Sequence, residues 1–103
     1  MLTPEGAVKK DIKDFLQEVQ AYQFMPVQRG YGKRTVDFLV CYSGWFVGIE
    51  AKRRKGSAEA FQKRILKEIQ DAGGIAFVAD DIDVVRRVFD VLRQFPRRAG
   101  VRP

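Results

Sequence analysis

The stretch from Thr35 to Lys52, TVDFLVCYSGWFVGIEAK, limits what this chain can fold into more than any other. Two runs rich in β-branched and aromatic residues flank Ser43-Gly44, a pair suited to a tight turn between antiparallel strands. A two-residue turn sets Tyr42 opposite Trp45 and, counting back along both strands, Asp37 opposite Glu50. Alternation then divides the hairpin into two faces. Val36, Phe38, Val40, Tyr42, Trp45, Val47, Ile49 and Ala51 fall on one. Asp37, Leu39, Cys41, Phe46, Gly48, Glu50 and Lys52 fall on the other. Both faces are largely apolar, so the hairpin is expected at the centre of a sheet covered on both sides.

Three charges converging on such a hairpin demand an explanation. Two carboxylates about 5 Å apart repel by roughly 3 kcal/mol at an effective dielectric near 20. Burial is tolerated when something positive sits between them. Lys52 is one candidate, which makes a structural lysine–carboxylate bridge the alternative to a functional site. A divalent ion is the other candidate, and oxygen ligands of this kind suit magnesium or manganese.

Composition removes several chemistries. The 103 residues contain no histidine and a single cysteine. Serine–histidine triads, histidine acid–base catalysis, disulfide frameworks and thiolate zinc sites are therefore not available. Cys41 is expected in the core. No apolar run approaches a membrane span, and the first residues do not resemble a secretory leader, so no membrane partner is expected. The formal net charge of +6 points to a polyanionic partner, most simply nucleic acid.

Helical and strand patterns surround the hairpin. Thr3-Pro4-Glu5 reads as a helix start, with Thr3 as cap and Val8, Ile12, Phe15, Leu16 and Val19 as one apolar stripe. Glu5 complements the helix dipole and is a candidate further ligand. A short strand is expected over Phe24–Gln28. The basic glycine-rich loop RGYGKR follows, with Arg29, Lys33 and Arg34; its spacing fits neither a P-loop nor a dinucleotide fingerprint. After the hairpin, Lys52-Arg53-Arg54-Lys55 is a basic run at the mouth of the acidic site. Ser57 is the expected cap of a second helix whose inner face is Ala58, Phe61, Ile65, Leu66, Ile69 and Ala72. Gln62 borders that face. Gly73-Gly74 ends the helix, IAFVA at 75–79 is a buried strand, and Asp80-Asp81 opens a last helix striped by Val84, Val85, Val88, Phe89, Leu92 and Phe95. The whole reads as one α/β domain over residues 1–96 with a basic tail over 97–103. The expected order is α-β-β-β-α-β-α around a central mixed sheet flanked by helices.

An aspartate, twelve residues, then Glu-Ala-Lys resembles the core of the PD-(D/E)xK nucleases, with their restriction-endonuclease-like fold. The match narrows on WFVGIEAK, the basic loop after it, Gln62, and DAGGIAFVADDIDVV, which together resemble the VRR-NUC family from Glu5 to about Val88. That family has proline before the aspartate, where this chain has Val36. The resemblance implies metal-dependent hydrolysis of DNA phosphodiesters. Its site would comprise catalytic Asp37, Glu50, Lys52 and Gln62, and Mg2+ or Mn2+ held by Glu5, Asp37, Glu50 and the Ala51 carbonyl. Arg29, Lys33, Arg34, Arg53, Arg54 and Lys55 would hold nucleic acid. It further implies a small phage or bacterial protein of the cytoplasm, without an organic cofactor, acting on branched DNA such as four-way junctions as a homodimer. A non-catalytic nucleic-acid-binding module on the same fold is the alternative.

Overall fold

The structure, a computed structural model, describes residues 2–27 and 34–98. Helix α1 (Pro4–Glu18) starts where the Thr3 hydroxyl accepts the Gly6 N–H at 3.0 Å and Pro4 supplies a preset backbone angle. It buries Ile12, Phe15 and Leu16. The chain reverses at once through Gln20, whose φ is +59°, and the Ala21 N–H returns to the Leu16 carbonyl. Strand β1 (Tyr22–Phe24) therefore begins two residues before the expected Phe24–Gln28. Pro26, with no N–H to donate, stands two residues past its end.

Strands β2 (Phe38–Tyr42) and β3 (Trp45–Ala51) form the hairpin, with Tyr42 opposite Trp45 and Phe38 opposite Ile49. Ser43 and Gly44 both have positive φ, at 51° and 81°, as a two-residue turn with matching twist requires. Helix α2 (Ala60–Asp71) carries the chain back to β4 (Ile75–Ala79), which runs parallel to β3, and α3 (Ile82–Gln94) ends the fold. The sheet order is β1-β2-β3-β4, so β2 and β3 are central. The protein is a small α/β domain with a four-stranded mixed sheet and three helices.

The two faces of the sheet carry separate apolar clusters. Phe38, Val40, Val47, Ile49 and Ala51 pack with Ile12, Phe15 and Leu16 of α1 and Val85, Phe89 and Leu92 of α3. On the other face α2 sets Ile65 and Leu66 against Ala76 and Val36. Gly48 permits this approach, because a Cβ there would lie 2.6 Å from Ile69 Cδ1. Val36 was expected on the α1/α3 face with Phe38. It lies on the α2 face because the chain bends at Asp37, before strand alternation begins.

Four further expectations change. Cys41 is exposed, not core. It pairs with Tyr22 and Phe46, both open to solvent, at the turn end of the sheet. The cap of α2 is Glu59 rather than Ser57, since Ala58 is drawn into the core and Gln62 bonds back to the Glu59 N–H at 2.9 Å. Phe95 lies past the end of α3 and is 66% exposed. Its carbonyl accepts the Trp45 indole N–H at 2.8 Å. Arg97, read as the first residue of a basic tail, is held against the hairpin turn instead. Its N–H donates to the Ser43 carbonyl at 2.7 Å, and its guanidinium lies 5.1 Å from the Trp45 ring centre. No helix among the described residues is long and apolar enough to cross a membrane.

Candidate active site

The hairpin register brings Asp37 and Glu50 together where the ladder ends. Beyond the Phe38–Ile49 pair, side chains replace the backbone as partners. The Asp37 N–H donates to Glu50 Oε1 at 3.2 Å, and the Ala51 N–H donates to Asp37 Oδ2 at 2.9 Å. Each carboxylate is thus fixed by a main-chain donor of the opposite segment, which gives both a single geometry. Ala51 itself is fully buried on the α1/α3 side.

Glu50 is the one buried charged residue among those described, at 2% exposure. Three groups surround it. Asp37 is one. Lys52 Nζ lies 3.8 Å from Oε2, with its side chain only 14% exposed. Gln62, from the first turn of α2, donates its amide to Oε2 at 2.6 Å. The other end of that amide accepts the Glu59 N–H, so Gln62 joins the helix start to the carboxylate. Burial, reinforced by the negative charge of Asp37 and only partly offset by Lys52, pushes the Glu50 carboxyl from 4.5 up to about 7. Near neutral pH the carboxyl therefore retains a proton part of the time.

The remaining residues are placed as follows. Glu5 sits on the first turn of α1, 41% exposed at its side chain, with Lys9 Nζ 3.6 Å from its Oε2. Lys9 in turn lies 3.5 Å from Asp37 Oδ1. No three histidine, cysteine, aspartate or glutamate side chains among the described residues gather closely enough to hold a metal ion. Glu5 is thus linked to Asp37 through an ammonium rather than joined to the pair. Arg34 lies 4.3 Å over the Phe61 ring, at the edge of a cleft of about 340 Å³ that also includes Arg64. Arg53, Arg54 and Lys55 are exposed on the loop after β3. Asp80 and Asp81 shape that loop, one accepting the Lys55 N–H at 2.9 Å and the other lying 3.8 Å from Arg54. Arg29 and Lys33 fall outside the described residues.

Sequence reading overlooked Lys9 and Arg64. Lys9 stands one helical turn after Glu5 on the same face, a spacing that could have marked it. Arg64 is two residues beyond Gln62 and carries no local signal of its own.

Compared with protein-family models, with curated proteins and with solved structures, the chain finds no match in any of the three. The molecule is an α/β domain with a mutually braced carboxylate pair, one member buried and fixed by a glutamine, and two lysines beside it.

Proposed function

We propose that this chain is a divalent-metal-dependent endonuclease of the PD-(D/E)xK kind, VRR-NUC-like, that hydrolyses DNA phosphodiesters. The observation that carries the reading is the convergence of Asp37, Lys52 and Gln62 on buried Glu50. A purely structural bridge needs one carboxylate and one lysine. Here two carboxylates are held side by side at the cost of a raised Glu50 pKa, and a hard cation shared between them relieves that repulsion more directly than Lys9 or Lys52, each of which approaches only one of them.

The donors fit such an ion, being oxygen throughout: Asp37 and Glu50 would hold it with the Ala51 carbonyl, and Glu5, which stands outside the pair, would complete the shell through water. Mg2+ or Mn2+ held there would supply Lewis-acid polarisation of the scissile phosphate and a more acidic water. Lys52, beside Glu50, orients the attacking water and offsets charge that develops on the phosphate. Gln62, bonded to Oε2, fixes the Glu50 side chain. Arg34, Arg53, Arg54 and Lys55, with Arg29 and Lys33, hold the sugar-phosphate backbone, giving affinity with little sequence preference and a marked salt dependence. Branched DNA as the substrate and a homodimer as the working unit extend this reading.

The second reading is a nucleic-acid-binding module without catalysis, favoured by the position of Glu5 outside the carboxylate pair. Cleavage of a labelled four-way junction and a matched linear duplex separates the two. Reactions contain magnesium, manganese or chelator, with Asp37→Ala and Lys52→Ala alongside. Metal-dependent cutting lost in both variants supports the nuclease. Equal cutting of both substrates removes the junction preference. Tight binding without cutting under either metal supports the module.

A further inference from the structure

Asp37 presents its two oxygens to different partners. Oδ2 is taken by the Ala51 N–H at 2.9 Å, a main-chain bond inside the fold. Oδ1 faces the Lys9 ammonium at 3.5 Å, and that ammonium is also 3.6 Å from Glu5 Oε2. Both distances are those of loose ion pairs rather than short hydrogen bonds. Lys9 is 34% exposed and sits on α1, a different element from the hairpin. Its flexible stem can leave Asp37 and remain beside Glu5, one turn earlier on the same helix.

We infer that Lys9 is the resident counter-cation of this site: it holds Asp37 Oδ1 in the metal-free protein and gives way when a divalent ion takes that oxygen. The inference rests on the metal-dependent reading above and adds a residue to it. An ammonium and a divalent cation both seek the Asp37 carboxylate, and they repel each other at this range. Lys9 therefore opposes loading, raises the ion concentration at which the site fills, and limits occupancy by adventitious cations. Lys52, 3.8 Å from Glu50 and more buried, is not equivalent, because it touches the other carboxylate and sits deeper in the fold.

Calorimetric titration with Mn2+ alone, at constant ionic strength, tests this without any cleavage readout. Lys9→Met should bind Mn2+ about three- to five-fold more tightly than the native chain, the scale of a partly exposed ion pair. Lys9→Arg, which keeps the charge, should stay near the native affinity. Asp37→Asn should abolish the binding heat, which places the ion at this carboxylate. Lys9→Gln and circular dichroism confirm that an altered affinity is not a folding defect. Unchanged or weaker binding in Lys9→Met overturns the inference, whether or not the protein cuts DNA. A tighter Lys9→Met variant of a chain that never cleaves leaves the counter-cation role standing and removes the nuclease. Absence of Mn2+ binding in the native chain overturns both.

Discussion

Glu50 should make this protein less stable as pH rises, and replacing it with glutamine should remove the effect. In the unfolded chain the carboxyl ionises near 4.5; in the folded protein it does so at about 7. Between those values the native state retains a proton that the unfolded state has released. Stability supplied by the protonated form is complete below 4.5 and is lost as pH climbs through 7. A shift of that size corresponds to roughly 3 kcal/mol, of which about 2–3 kcal/mol falls between pH 5 and pH 8. Glu50 is almost wholly buried, so solvent screening removes little of it. The absence of histidine helps, because no imidazole titrates in the same window.

The assay is urea unfolding at pH 5 and pH 8 in chelator, since a divalent ion would favour the charged pair and mask the trend. The native chain should lose about 2–3 kcal/mol over that interval, and Glu50→Gln should lose well under half as much. Glutamine cannot accept from both the Asp37 N–H and Gln62 in the observed arrangement. The variant therefore carries an offset of about 1 kcal/mol at both pH values, which cancels in the comparison. Parallel pH dependence in the two proteins would refute the argument that the buried carboxyl holds a proton.

Other consequences are open to direct measurement. Gln62→Ala strips a partner from both Glu50 and the Glu59 N–H and should destabilise by about 1–3 kcal/mol in urea melts, with Gln62→Glu worse at pH 8 than at pH 5. Gly48→Ala forces a Cβ against Ile69 and should cost about 1–3 kcal/mol; adding Ile69→Val, which deletes the offending Cδ1, should recover a good part of it. Phe89→Ala removes a ring packed edge-on to Phe15 and stacked on Tyr42 and should cost about 3–5 kcal/mol, read from the shift in denaturation midpoint at constant m-value.

The hairpin was the legible part of this molecule because its information is local. Ser43-Gly44 fixes the turn, the turn fixes Tyr42 against Trp45, and that register delivers Asp37 to Glu50. Strand β4 was equally plain, an apolar run between a glycine pair and an aspartate pair. What escaped depended on where neighbouring elements stop. Cys41 looks like core until α2 is seen to leave the turn end of its sheet face open. Val36 obeys strand parity only if the strand begins before Asp37, and it does not. Ser57 is a good cap in isolation, but Gln62 can reach Glu50 only if the helix starts after Glu59. Lys9 joins the site through packing of α1 against the hairpin, a contact between elements far apart in sequence.

The two ends of the hairpin are secured at different times in the life of the chain. Every side chain that braces the carboxylate pair has been synthesised by Gln62. The turn waits for Phe95 and Arg97, whose bonds to Trp45 and Ser43 are among the last that a growing chain can make. On the ribosome, the carboxylate end has its partners before the turn end does. In the finished protein the Phe95 and Arg97 bonds to the turn share no partner with the braces of the carboxylate pair, so their release should expose Trp45 while Glu50 keeps its contacts. Amide exchange should therefore be faster at Arg97 than at Ala51, with chain ends coming apart first and the acidic pair last.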